Sequence, residues 1–147
     1  MTSPDGGGLN VYLIEDDPDH VLLITRAIKE VAAQTEVQSF LDGETALSSL
    51  RDPSLSPPDL VLLDIKMPGL SGFDVLSAIK DDERLRRIPV VMVTSSELPT
   101  DIARAYNLGA SGYISKPSYM QDLQAVLGNT LLYWSFMSRP SSSEAVR

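Results

Sequence analysis

Short apolar runs alternate along the chain with longer segments in which apolar residues recur every three or four positions. Val11-Tyr12-Leu13-Ile14, Leu60-Val61-Leu62-Leu63, Val90-Val91-Met92-Val93 and Gly112-Tyr113-Ile114-Ser115 are too short for helices and rich in β-formers. They predict strands buried on both faces. Val37 to Phe40 is a shorter, more polar strand between the first and second of these, and Ile88-Pro89 leads into the fourth strand, where a missing donor is tolerated.

The intervening segments carry helix signals. Asp17 and Pro18 suit the N-cap and first position of a helix whose stripe is Val21, Ile24, Ile28 and Val31, with Leu23 and Ala27 beside it, through about Ala32. Asp42-Gly43 opens a second helix to about Leu50, and the Pro- and Ser-rich stretch 51–58 is a loop. Ser71 and Asp74 form a capping-box pattern before Phe73, Leu76 and Ile79. Pro99-Thr100 starts a fourth helix that reaches Asn107 and stops at Gly109. Ser118 with Gln121 suggests another capping box, ahead of Leu123, Val126, Leu127, Leu131 and Trp134.

Five strands alternating with five helices imply a doubly wound parallel sheet, because parallel strands need crossover connections. A chain of this length favours the order 2-1-3-4-5, and ligands in such sheets bind beyond the carboxyl ends of the strands.

Composition narrows the function classes. At 147 residues the chain fits one domain, expected over 9–137, with tails at 1–8 and 138–147. It has no cysteine, so disulfides and thiolate metal sites are excluded. A net charge of -8 argues against a generic nucleic-acid surface, and the basic group Arg84, Arg86 and Arg87 reads as a solvated face near a helix C-terminus. No apolar run approaches the ~20 residues of a membrane span, and Met1 to Gly8 lacks a signal-peptide plan. A soluble, cytoplasmic protein is expected.

The strand ends carry the chemistry. Asp16 and Asp17 follow the first strand, Asp64 the third, Thr94 ends the fourth and Lys116 follows the fifth. Three carboxylates about 5 Å apart would repel by roughly 3 kcal/mol per ionised pair at an effective dielectric of about 20. A hard cation such as Mg²⁺ suits such all-oxygen ligands, and Lys116 adds a fixed positive charge. A carboxylate beside Mg²⁺, a lysine and a hydroxyl is equipment for receiving a phosphoryl group on Asp64. Taken singly, Asp17 also reads as a helix cap, Thr94 as a strand-end hydroxyl, Tyr113 as an edge aromatic and His20 as a solvated first-turn residue.

Four motifs occur together and in order: Glu15-Asp16-Asp17, Leu62-Leu63-Asp64-Ile65-Lys66-Met67-Pro68-Gly69, Val93-Thr94-Ser95, and Gly112-Tyr113-Ile114-Ser115-Lys116-Pro117. In them the chain resembles the receiver domain of two-component response regulators, over about Leu9 to Trp134. The resemblance implies a flavodoxin-like (βα)5 fold whose strand order is the one expected above, so those two expectations are not independent. It implies Asp64 as phosphoacceptor and Mg²⁺ held by Asp16, Asp17, Asp64 and the Lys66 carbonyl. It also implies Thr94 and Tyr113 as the switch pair, Lys116 as partner of phosphorylated Asp64, and a cis Lys116-Pro117 bond. Lys66 and Ser96 occupy positions that in this family influence how water reaches the phosphoryl group.

The implied donor is a phosphohistidine on a sensor histidine kinase. Too few residues follow Trp134 for a DNA-binding domain, so a stand-alone receiver acting on another protein is expected. The loop at 52–58, the Arg87-Ile88-Pro89 segment and the aromatic end of the last helix further resemble regulators paired with bacterial phytochromes. Surplus apolar residues Leu131, Leu132, Tyr133, Trp134, Phe136 and Met137 suggest an interface, expected as a homodimer through helix four, strand five and helix five. Two other readings are a phosphorylation-silent pseudo-receiver scaffold and an aspartyl-phosphate hydrolase. The hydrolase pattern wants a second carboxylate two residues after the first, where Lys66 stands.

Overall fold

The structure is a computed structural model that describes residues 9–117 and 120–136. Its elements are β1 (Asn10–Ile14), α1 (Pro18–Val31), β2 (Glu36–Phe40), α2 (Gly43–Arg51), β3 (Leu60–Leu63), α3 (Gly72–Asp81), β4 (Val90–Thr94), α4 (Pro99–Asn107), β5 (Gly112–Ser115) and α5 (Met120–Phe136). All strand pairings are parallel and the order is β2-β1-β3-β4-β5. This is the flavodoxin-like arrangement expected.

Strand alternation divides the core in two. Tyr12, Ile14, Val61, Leu63, Val90 and Met92 pack against α2, α3 and α4. Val11, Leu13, Leu60, Leu62, Val91, Val93 and Ile114 pack against α1 and α5. The residues of both sets are buried, as strands covered on both faces require.

Local signals set the boundaries. Asp17 caps α1 by accepting from the Asp19 amide at 2.9 Å, with Pro18 next to it. Asp42 accepts from the Thr45 amide at the start of α2, and Ser71 and Asp74 complete their capping box. Arg84 caps a different helix from the one it follows, donating to the carbonyls of Leu50, Arg51 and Asp52 at the end of α2. Gly109 has φ +106°, a conformation that stops α4 without strain only in glycine.

Several expectations change. Leu23 and Val31 of α1 and Val126 of α5 are exposed; Val31 lies beside Gly128 of α5, which has no side chain to cover it. Trp134 of α5 is half-buried against the core that the sheet shares with α1 and α5. No cis peptide bond occurs among the described residues, so Lys116-Pro117 is trans, the isomer favoured by ~0.5–1 kcal/mol before proline. Ser118 of the second capping box, Met137 and both expected tails lie outside the described residues.

Candidate functional site

The ladders run past the strand ends and align them. The Glu15 amide donates to the Phe40 carbonyl, the Asp64 amide to the Ile14 carbonyl and the Lys116 amide to the Thr94 carbonyl. The first residues beyond β1, β3 and β5 are thereby drawn to one edge. Continued alternation puts Glu15 in phase with Leu13, Asp64 with Leu62, and Lys116 with Ile114, all on the α1–α5 side. Their side chains meet there. Lys116 Nζ lies 2.5 Å from Glu15 Oε1 and 3.1 Å from Asp64 Oδ2.

Glu15, Asp16 and Asp64 each bring a carboxylate oxygen within 4.8 Å of the others. Glu15 is 1% exposed and Asp64 8%, so the charges are only weakly screened by water. Burial pushes the Glu15 carboxyl above its usual range, and the Asp64 charge adds to that; hydrogen bonds from Lys116 and the Asp17 amide pull it back. The Ile65 amide donates to Asp64 Oδ1 at 2.7 Å, leaving Oδ2 toward Lys116. One ammonium facing three carboxylates leaves negative charge in excess, and the donors are all hard oxygens. The residues fit a Mg²⁺ ion by the chemistry of the donor set.

Two glycines shape the loop after Asp64. Gly69 adopts φ +74°. A Cβ on Gly72 would fall 2.1 Å from the Asp64 carbonyl oxygen and 2.8 Å from Ile65 Cα, so only glycine lets α3 start this close to the strand. The Gly72 amide donates to the Ile65 carbonyl at 2.7 Å, tying the helix start to the loop. Lys66, two residues past Asp64, is exposed.

Thr94 and Tyr113 belong to the opposite face. Thr94 follows the phase of Met92, is buried, and has the Ser96 amide 3.4 Å from its hydroxyl. Tyr113 packs against the α2–α4 core, and its hydroxyl donates to the Ser96 carbonyl at 2.9 Å. The Ser96 hydroxyl meets Asp101 of α4 at 2.6 Å. Burial pushes the Tyr113 phenol up, partly offset by its bond to Ser96. Thr94, Ser96, Tyr113 and Asp101 thus link the end of β4 to α4.

Against expectation, the three-carboxylate group contains Glu15 where Asp17 was expected. Asp17 is spent on capping α1, while Glu15 keeps the inward phase of β1 one residue longer. The signal was available: Glu15 continues the alternation of Val11 and Leu13. His20, expected as a solvated first-turn residue, brings its Nδ1 within 2.9 Å of Lys116 Nζ. No local pattern pointed to that contact, since residues 20 and 116 meet only through the fold.

A model of the response regulator receiver domain matches residues 11–128. The chain belongs to the receiver family. It is 38% identical over 127 residues to the probable methanogenesis regulatory protein FilR2 of Methanothrix harundinacea, covering 84% of this chain and 82% of that one. Among solved structures, the phosphorylated cyanobacterial phytochrome response regulator RcpA shares 32% identity with a TM-score of 0.84, over 92% of this chain and 100% of that one. The Mn²⁺-bound response regulator Rcp1 shares 28% identity with a TM-score of 0.81, over 90% and 99%. Other receiver-containing relatives are longer, the chain spanning 25% and 22% of their length. Receivers act as phosphoacceptor switches and bind Mg²⁺ at an acidic pocket. In this receiver, no helix of the described residues is long and apolar enough to cross a membrane.

Proposed function

We propose that this receiver accepts a phosphoryl group on Asp64 from a histidine kinase phosphohistidine and thereby switches a protein-binding surface. The observation that carries the reading is the buried Asp64 carboxylate, with Oδ2 3.1 Å from Lys116 and two further carboxylates alongside. Asp64 attacks phosphorus, the bond from phosphorus to the donor nitrogen breaks, and an acyl phosphate forms with neutral imidazole as leaving group once that nitrogen's partner is protonated. Lys116 and the Thr94 hydroxyl bind the phosphoryl oxygens as charge spreads over them.

Mg²⁺ would be held by Asp16, Asp64 and the Lys66 carbonyl, with Glu15 and Asp17 as flanking carboxylates. Bound there, it supplies the positive charge that lets an anionic donor approach three acidic groups. Thr94 moves toward the phosphoryl group, and Tyr113 follows through the Ser96 carbonyl it shares with that loop, shifting a pre-existing equilibrium of α4.

The output surface is α4, β5 and α5, where a second copy of the chain docks. Leu98, Tyr106, Val126 and Tyr133 are exposed there, and Phe136 is 82% exposed at the end of α5. Likeness to RcpA and Rcp1 supports a phytochrome-linked kinase as donor. A cytoplasmic location belongs to the same reading, and the net charge of -8 supports a protein partner over DNA.

Incubation with acetyl phosphate and Mg²⁺, read by intact mass, tests the proposal. One added phosphoryl group, which fails to form when Mg²⁺ is chelated beforehand or in Asp64→Asn, supports it. No gain from acetyl phosphate or from a phosphorylated kinase supports a silent scaffold, and turnover of added phosphoesters supports a hydrolase. Sedimentation as a monomer at tens of micromolar, with and without phosphorylation, would remove the dimer.

A further inference from the structure

The Lys116 ammonium has three N–H donors and no acceptor. Three acceptors surround it: Glu15 Oε1 at 2.5 Å, His20 Nδ1 at 2.9 Å and Asp64 Oδ2 at 3.1 Å. Because Lys116 can only donate, a hydrogen bond between the two requires Nδ1 to accept and the imidazole proton to sit on Nε2; Nδ1 also lies 3.7 Å from Glu15 Oε1. Nε2 lies 3.6 Å from Asp17 Oδ2, the carboxylate that caps α1. The ring is therefore set between the cap of its own helix and the lysine that follows β5.

We propose that His20 is a positioning residue for Lys116, holding the ammonium at the α1 side of the pocket so that it meets the phosphoryl group on Asp64. This rests on the reading of Asp64 as phosphoacceptor. Lysine is a point charge on a flexible stem, and two acidic acceptors alone leave its head free to pivot about the line between them. A third acceptor on α1 removes that freedom. When Asp64 carries phosphate, Lys116 exchanges its bond to Asp64 for one to a phosphoryl oxygen, while Glu15 and His20 keep the other two N–H groups.

The choice of residue follows from charge. Three carboxylates already crowd the site, and the incoming group is an anion. A neutral imidazole anchors the lysine without adding negative charge, which a carboxylate at position 20 would do. The opposing consideration is exposure: the His20 side chain is 41% exposed, and hydrogen bonds at exposed sites contribute little. The experiment separates the two.

¹⁵N-labelled full-length protein is observed by NMR with the imidazole neutral, alongside His20→Ala, His20→Asn and His20→Asp. Asparagine puts an oxygen near the place of Nδ1, and aspartate does so with a charge. The expected spectrum shows an unprotonated Nδ1 and a Lys116 ammonium slow enough in exchange to be seen, the latter lost in His20→Ala. At saturating Mg²⁺, His20→Ala should slow Asp64 labelling by acetyl phosphate about three- to tenfold. His20→Asn should return to within about twofold of the parent, with His20→Asp slower than His20→Asn.

Parent-like labelling in His20→Ala, or a free Lys116 ammonium in the parent, overturns the proposal. Equal slowing in His20→Ala and His20→Asn with a matching fall in thermal stability assigns a structural role and also overturns it. Failure of the parent itself to label removes the phosphoacceptor reading and this role with it, whereas failure confined to the His20 series removes this role alone.

Discussion

The two faces of the sheet contribute unlike halves to one site. The α1–α5 face supplies charge: Glu15, Asp64 and Lys116, joined by His20 from α1. The α2–α4 face supplies hydroxyls: Thr94, Ser96 and Tyr113, which reach α4 through Asp101. The charged half is held in place by its pairing, because each buried charge must keep its partners. The hydroxyl half is held by hydrogen bonds between neutral groups, apart from the Ser96 hydroxyl on the Asp101 carboxylate, and neutral bonds of modest net worth rearrange more readily than buried ion pairs. The division teaches how a tightly paired charged cluster and a separate hydroxyl cluster occupy adjacent strand ends.

The comparison can be broken first on its charged side. Asp64→Asn should abolish phosphoryl incorporation completely while preserving the fold, checked by intact mass and circular dichroism. Lys116→Ala leaves Glu15 buried without its ammonium, and urea titration in the absence of divalent cations should show a loss of about 3 kcal/mol. Adding Glu15→Gln to that variant should restore part of the loss, since the stranded charge is then gone. If the double variant is no more stable than Lys116→Ala, Glu15 and Lys116 do not act as a pair.

Gly72→Ala tests the join between the halves, where α3 begins against the Asp64 carbonyl at a distance no side chain tolerates. It should cost about 2 kcal/mol in urea titration and weaken Mg²⁺ binding measured by calorimetry. Tyr113→Phe removes only the bond to the Ser96 carbonyl and should cost about 1 kcal/mol or less, with Asp64 labelling within about twofold of the parent. A large fall in labelling would show that the halves are not separable.

The smallest expected effect lies outside both halves. Hydrogen bonds from the Thr45 amide and then its side chain hold the Asp42 carboxyl below its ordinary value of 3.8. A depressed carboxyl contributes stability above that value and loses it as pH falls through the folded-state value. The lower melting temperature of Asp42→Ala should therefore converge on that of the parent as the pH drops below 3.8. A constant difference across that range would mean the cap acts through packing.

Most of the fold was legible because its signals are local. Asp17 with Pro18, Asp42 before Gly43, and the Ser71–Asp74 box start helices by bonding backbone amides within a few residues, and buried parallel strands show as apolar runs. The exposure of Leu23, Val31 and Val126 was not legible, because periodicity says which face is apolar and not how far a neighbouring helix covers it. The acidic group was legible in part: the alternation of Val11 and Leu13 turns Glu15 inward, but its meeting with Asp64 needs the strands aligned.

By itself, the sequence determined the alternation of strands and helices, the polar residues at the strand ends and the likeness to receivers, since these depend on residue order and short-range bonding. Only the tertiary structure decided that the carboxylates of Glu15 and Asp16 meet that of Asp64, and that His20 meets Lys116. The physical reason is distance along the chain. A contact between residues 20 and 116 exists only after five strands have aligned, and no local pattern can encode where two such side chains will meet.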